Sequence, residues 1–465
     1  MIAGEGPAGD PTPAPSRAGA PLARRWGQGQ PLVVDGACVA LLIAGRLAID
    51  AWVLRAGFSH VSDDDFARTV IAEQFAHAPR LDPSGTSWLP FPFWATGAAM
   101  AVLGRSLEAA RAIAIAIGAA AVAAPYVAMR AARVPRGAAL AASAIAMALP
   151  WNAWLGVATV PDGWTGALLA AGAIAMAQER ARPWSAAALG IAALSRYEAW
   201  PACAVFTLAC AWPRRSHASR HSGGRDAACA ALALAGPLLW MAWNAHAHGS
   251  PFHFIARVTA FRRAIGAAQV PWSDKVLAYP LALATDTPEV VVLGACGIAG
   301  LAWCPEVRRR WQWAGATALA VLAFLVAGDL GDGAPTHHPA RALGSIWWIG
   351  LGMGVDALAV AAAALASAPA RRAVFTAAGA ATVAWTATLA PRWIHSPGST
   401  ESERRDAQIA RGLAMREDGA VSAEITPCQF EHFALLAAWG QPERARVNPR
   451  SQKPVTPDCP EITTP

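Results

Sequence analysis

From about residue 34 to residue 391 the chain is a succession of apolar runs separated by short loops, and this pattern leaves few folds open. A run of roughly 20 apolar residues is long enough to cross a bilayer as a helix. Of the 465 residues, 55% are hydrophobic and only 15% charged, which is too little polar surface to cover a soluble body of this size. The chain reads as an all-α polytopic membrane protein. Alanine, glycine and leucine fill the runs, and small residues let helices approach closely where packing, not water exclusion, drives association. Several of the 21 tryptophans (Trp151, Trp154, Trp164, Trp184, Trp240, Trp243) fall at the ends of apolar runs, where indoles favour the bilayer interface. The net charge of +7 does not point to nucleic acid. The arginines cluster in short loops, and no basic stripe interleaved with aromatics is present.

Six of the eight cysteines (Cys38, Cys203, Cys210, Cys229, Cys296, Cys304) lie in or beside apolar runs without CxxC spacing and read as small hydrophobes. Cys428 and Cys459 lie in a polar C-terminal region and can pair if that region faces an oxidising compartment. Residues 1–32, rich in proline, glycine and alanine, are expected to form a disordered cytoplasmic tail. The first apolar run starts near Leu32 and is long enough to span, so it does not read as a cleavable signal.

The first span, about 34–54, carries Arg46 and Asp50 one helical turn apart, either paired inside the bundle or snorkelling at the interface. The apolar stretch from Trp88 to Gly104 decides the topology. If it crossed, Arg130, Arg133 and Arg136 would emerge outside, against the positive-inside rule. If it dips without crossing, those arginines, Arg180/Arg182, Arg214/Arg215/Arg220/Arg225, Arg308/Arg309/Arg310 and Arg371/Arg372 all fall inside. Pro90 and Pro92 also argue against a plain spanning helix there. The remaining spans follow as 109–129, 137–152, 163–178, 184–195, 199–212, 228–246, 288–303, 313–328, 343–365 and 372–391, making about eleven crossings. Residues 33–392 then form the transmembrane domain, 55–108 its large first outer loop with amphipathic and re-entrant helices, and 393–465 a small outer C-terminal region with a helix at about 402–416. The spans flanking Ser195-Arg196-Tyr197-Glu198 are too short to cross straight and suggest a cavity floored by that tetrapeptide.

On this thread the polar groups segregate outside: Asp63, Asp64 and Asp65, the Pro161-Asp162 turn, Arg196 to Glu198, His246, His248 and His253 with Arg257, Arg262 and Arg263, Asp286 with Glu289, and His337, His338 and Arg341. An acidic cluster in a large first outer loop, the proline-aromatic segment from Trp88 to Trp94, a second acid at Asp162, the Arg-Tyr-Glu break and a late His/Arg loop occur in this order. With those motifs the chain resembles the GT-C class of integral membrane glycosyltransferases, which includes protein mannosyltransferases, aminoarabinose transferases and the catalytic subunit of oligosaccharyltransferase. The resemblance covers about residues 34–391. It implies a polyprenyl-phosphate sugar as donor, an acceptor that is a protein, lipid or glycan, and membrane lipids as surroundings, while the threading puts the N-terminus inside and the C-terminus outside and the alanine-rich composition fits a bacterial inner membrane. It also implies roles. Asp63 or Asp64 serves as the base, Asp162 as a second acid orienting the acceptor or a divalent metal ion, and Arg196 and Arg341 as phosphate binders, with Tyr197, Glu198, His337 and His338 lining the substrate site. A base must reach the acceptor's proton, and a guanidinium fork suits the departing phosphate.

Plainer readings stand beside these. Ser62 followed three residues later by Asp65 forms a capping-box-like start for the amphipathic run from Phe66 to Phe75. Arg196 and Glu198 form an ion pair at a helix break on the structural reading. The histidine sets suit a metal by residue type, but a solvated loop explains them as well. A transporter or flippase is the alternative from another class. It predicts internal repeats and ionisable residues at mid-depth, whereas the acids here gather at one face.

Overall fold

The computed structural model describes residues 32–212, 223–264, 270–333, 338–365, 367–425 and 430–447. Residues 1–31, His337, Cys428 and Cys459 lie outside the described residues, and so do the expectations that rest on them.

The described chain is built of helices. The first four are α1 (Leu32–Arg55), α2 (Asp64–His77), α3 (Phe91–Leu103) and α4 (Leu107–Ala131). Next come α5 (Arg136–Ala148), α6 (Pro150–Val157), α7 (Asp162–Ala175), α8 (Arg182–Ala193), α9 (Ala199–Ala211), α10 (Gly223–His248) and α11 (His253–Ala264). The remainder are α12 (Trp272–Asp286), α13 (Pro288–Trp303), α14 (Pro305–Leu330), α15 (Gly344–Ala363), α16 (Ala368–Leu389), α17 (Ser402–Glu417) and α18 (His432–Trp439). Proline marks several starts because its fixed φ suits the first helical turn, where its missing N–H costs nothing. At α6 the same residue breaks the path. Leu149, ahead of Pro150, is forced to an extended ψ of 136°, and α5 and α6 meet at a bend of 72°. Pro288 opens α13, which meets α12 at a bend of 100°.

Among the described residues, five helical stretches are long and apolar enough to cross a membrane alone: Val33–Arg55, α4, α10, α14 and Pro339–Ala363, which contains α15. Counting each bent pair as one span gives up to seven. The expected run 137–152 is therefore broken at Pro150, and α12 is an additional helix that no expected span covers. The expected spans 163–178, 184–195 and 199–212 appear as α7, α8 and α9, with 14, 12 and 13 residues, so about eleven full crossings is more than helix length supports. At 13 residues α3 is roughly 20 Å long, short of the ~30 Å hydrocarbon core. It packs on α2 and α4 as part of the first long loop.

α7 and α15 lie at the centre of the bundle, with nearly every side chain of α7 and most of those of α15 buried. Their neighbours approach to backbone contact at small residues. A Cβ on Gly354 of α15 would lie 2.1 Å from the Leu293 carbonyl oxygen of α13, so only glycine permits that crossing. The Arg46–Asp50 pair forms inside the bundle at 2.6 Å. Arg46 also donates to the Asn152 and Ala153 carbonyls of α6 at 2.8 and 3.1 Å, tying α1 to α6. Its guanidinium occupies the space that a side chain at position 156 would need, since a Cβ there would stand 1.0 Å from Nη2. At the opposite sequence end of α1, Asp35 accepts from Tyr126, Arg130 and Arg136 and ties α1 to α4 and α5.

The C-terminal region folds onto the first loop. α17 matches the helix expected at 402–416. Strands β1 (Ala423–Ile425) and β2 (Ala445–Val447) pair in parallel, with Ala423 opposite Ala445. Leu435, Leu436 and Trp439 of α18 form one apolar cluster with Phe66 and Val70 of α2 and with Leu107. Arg105 grips Glu443 with both terminal nitrogens, at 2.8 and 3.0 Å. The region is thus a buttress for α2 and covers its apolar face.

Candidate active site

The first turn of α2 carries the three consecutive acids, and the structure sends each to a different place. Asp65 caps. Its Oδ2 accepts from the Val61 and Ser62 amides at 3.0 and 3.2 Å, the reciprocal half of a capping box, and Oδ1 accepts from the Thr159 amide at 2.7 Å. One side chain therefore locks the start of α2 to the turn that leads into Asp162. Asp63 faces the C-terminal region, where Arg405 of α17 donates to both its oxygens at 2.8 and 2.9 Å. Asp64 faces the bundle and meets Arg341 at 3.1 Å. Ser62, expected to cap, does not. Its hydroxyl accepts from Arg341 at 2.9 Å instead.

Arg341 sits on a 3₁₀ turn, Pro339–Leu343, and bridges two acids. Besides Asp64 it approaches Asp162, with Nε 3.4 Å from Oδ1 and Nη2 3.5 Å from Oδ2. The turn is preceded by His338 at φ 65°, a left-handed conformation unfavourable for a residue with a Cβ, which aims the following segment inward. Asp162 opens α7 with no accessible side-chain surface and takes a second cation, Arg196, at 3.1 Å. Arg196 lies in the break between α8 and α9 and also donates to Glu198 at 2.7 Å. The break is held in place because the Phe91 amide, at the start of α3, donates to the Leu194 carbonyl at 3.1 Å.

Asp64, Asp162, Arg196, Glu198 and Arg341 thus converge from four separate parts of the chain. The Asp64 carboxylate is surrounded by protein yet 41% exposed, so it faces open space within the site. Burial pushes this carboxyl upward, but Arg341 and Arg68 outweigh burial and hold it below the ordinary carboxylate range. In this state the acid is ionised and paired.

Other expected site residues lie apart. The Tyr197 hydroxyl donates to the Ser87 carbonyl at 2.7 Å and accepts from Trp240 at 3.0 Å, while its ring stacks on Phe254 at 4.5 Å. It ties the first loop to α10 and α11. The His338 ring rests 5.6 Å from Trp151, and His248 stacks on His253 at 4.1 Å. Asp286 accepts from Trp151 and Glu289 from Trp385. Among the described residues no group of three histidine, cysteine or acidic side chains is placed to hold a metal ion, and Asp64 and Asp162 have Arg341 between them.

Sequence reasoning missed Arg68. It follows Asp64 by four residues, so both project from one side of α2. Its side chain is buried at 6% exposure, with the guanidinium 4.5 Å above the Trp88 ring and 5.6 Å from Phe93. The signal was available in the i, i+4 spacing. A further sign was the polar set Asp65, Arg68, Thr69 and Glu73 on a helix whose other buried positions are apolar.

No protein-family model matches the sequence, and no curated protein does. Among solved structures, the crystal structure of ArnT from Cupriavidus metallidurans in the apo state matches with a TM-score of 0.54 at 14% identity, covering 90% of this chain and 90% of that one. ArnT from the same organism bound to undecaprenyl phosphate matches with a TM-score of 0.44 at 16% identity, over 87% of this chain and 75% of that one. The apo match shows a shared fold. The chain is a helical protein with several apolar, membrane-length helices and the fold of that structure.

Proposed function

We propose that the protein is a membrane glycosyltransferase that moves a sugar from a polyprenyl-phosphate donor to an acceptor at the outer face of a bacterial cytoplasmic membrane. The observation that carries this reading is Arg341, which bridges Asp64 and Asp162 at a point where segments from four parts of an ArnT-like fold meet. Transfer needs a carboxylate beside a cation, and this arrangement supplies both.

In this reading Asp64 takes the proton of an acceptor hydroxyl. The acceptor oxygen bonds to the anomeric carbon of the sugar as the bond from that carbon to the phosphate oxygen breaks, and polyprenyl phosphate departs with the electron pair. Arg341 and Arg196 stabilise the phosphate as its charge grows, and Asp162 orients the acceptor. Donor binding also prepares the base. A phosphate that draws Arg341 away removes the larger of the two charges that depress the Asp64 carboxyl, so its basicity rises. Asp63 is the weaker candidate because Arg405 occupies both its oxygens. The alternative reading, a transporter, would draw on the intramembrane pair Arg46–Asp50, and the contacts of Arg46 with two α6 carbonyls give that pair a structural task.

Mass spectrometry of lipid-linked sugars and glycoconjugates, in cells with and without the protein, tests the proposal. Loss of the protein should raise one polyprenyl-phosphate sugar and remove one glycoconjugate. An unchanged lipid pool, with uptake or flipping by the purified protein in vesicles, would overturn it in favour of transport.

A further inference from the structure

Arg68 is a buried cation without a counter-ion in contact. Among the described residues neither its Nε nor its Nη1 has a hydrogen-bond partner, and no carboxylate lies within ion-pair distance. A buried guanidinium with open N–H groups is costly, since each unpaired donor forfeits its hydration and the charge loses its solvent. Burial lowers the affinity of Arg68 for its proton to about 10, which still leaves it charged at neutral pH. The contacts that hold it are the Trp88 and Phe93 rings, and these fix its position without using its N–H groups. The other two arginines of the site differ. Arg341 is engaged by Ser62, Asp64 and Asp162, and Arg196 by Asp162 and Glu198.

We infer that Arg68 is the anion-receiving group of the site, preorganised for a phosphate monoester. Arg68 borders a cleft of about 10 Å³ between α2, α3 and the α6–α7 turn, lined also by Thr69, Pro92, Phe93, Thr96 and Thr159; it has room for about one water molecule, and the phosphate enters by widening it. Arg68 accepts the anion without breaking an existing ion pair, whereas Arg341 and Arg196 must exchange partners to do so. The order of events is then anion on Arg68 first, followed by release of Arg341 from Asp64. That the phosphate is the donor's rests on the transferase reading above; the anion site itself does not.

The test uses the full-length protein in detergent micelles, with a polyprenyl monophosphate and inorganic phosphate as separate probes, and reads the unfolding temperature with and without each probe. Arg68→Met keeps the apolar contacts and deletes the unpaired charge. It should unfold at a higher temperature than wild type without ligand, and should bind the polyprenyl monophosphate on the order of 10- to 100-fold more weakly. Arg68→Lys retains charge in a different shape and should fall between the two; it also serves if the methionine variant does not fold. If inorganic phosphate alone gives the Arg68-dependent shift, the site reads the phosphate group whatever carries it. If only the lipid does, the polyprenyl tail is part of recognition. Equal affinity of wild type and both variants for both probes would overturn the inference, as would a lowered unfolding temperature of Arg68→Met with unchanged affinity, which would make Arg68 a structural element of the Trp88 contact. No step of this assay involves sugar transfer. Binding through Arg68 by a protein that transfers nothing would keep the anion site and sink the transferase reading.

Discussion

Replacing Asp64 and Asp63 separately with asparagine separates chemistry from architecture at adjacent positions. Asp64→Asn removes the proposed base and leaves a side chain of the same shape. Loss of a general base lowers transfer by about 10²- to 10⁴-fold. The cost in stability should be small. The Asp64 carboxylate is 41% exposed, and Arg341 keeps Ser62 at 2.9 Å and Asp162 at 3.4 Å, so we expect no more than about 1 kcal/mol. Asp63→Asn reverses the balance. It takes one charge from a bidentate pair with Arg405, whose side chain is 8% exposed, and should cost about 1–3 kcal/mol while transfer stays within a few-fold of wild type. The assay is the polyprenyl-phosphate sugar pool of cells that carry each variant in place of the wild-type gene, with the unfolding temperature of each purified protein as the control. Asp64→Asn should accumulate the lipid to the level of the deletion, and Asp63→Asn should not. The sign of the pH dependence follows from the depressed Asp64 carboxyl. The base is active when ionised, so kcat/KM, which reports the donor-free enzyme, falls with acidification only below the ordinary carboxylate range, and Arg341→Gln, which removes the larger of the two charges that depress the carboxyl, should move that limb to higher pH. Full turnover by Asp64→Asn, or equal inactivity of a folded Asp63→Asn, would refute the assignment.

Three further outcomes follow from groups around the site. Glu73 is fully buried on α2, with neither carboxylate oxygen hydrogen-bonded among the described residues, and burial raises its carboxyl well above the glutamate range. Its folded state therefore holds a proton that the unfolded state releases, and stability is lost as pH rises from the unfolded value through the folded one; Glu73→Gln should flatten that loss in unfolding-temperature scans and outlast wild type at neutral pH. Gly156→Ala should destabilise by about 1–3 kcal/mol or more, because its Cβ would meet Arg46 Nη2 at 1.0 Å, and Arg46→Met should restore much of the loss in the double variant. Asp65→Ala strips the Val61, Ser62 and Thr159 amides of their acceptor, so it should cost about 2–4 kcal/mol and, by loosening the turn before Asp162, reduce transfer as well.

What the sequence disclosed, it disclosed through local pattern. The apolar runs, the short helices on either side of Arg196 and the amphipathic segment that became α17 all repeat at helical spacing, and a repeat needs only its own residues to be read. The break at Pro150 was also in principle local, since the residue before a proline resists helical geometry, yet the uniform hydropathy of 137–152 hid it. The two strands have three residues each, too few for alternation to register. The site itself was legible only as a set of ingredients. Asp63 and Asp64 differ by about 100° around a helix, and which of them enters the site depends on Arg405, 342 positions from Asp63, claiming the other. Ser62 looked like a cap because its partner three residues on is acidic, but Arg341, 279 positions away, takes its hydroxyl. A buried charge must find an opposite charge, a hydrogen-bond partner or a ligand, and sequence spacing cannot say which. Arg68 is the residue for which this matters most: its neighbours in the fold leave two of its donor atoms unused, and among the three arginines of the site it is the one that no described acid contacts, which is visible only once the partners of Arg196 and Arg341 are known.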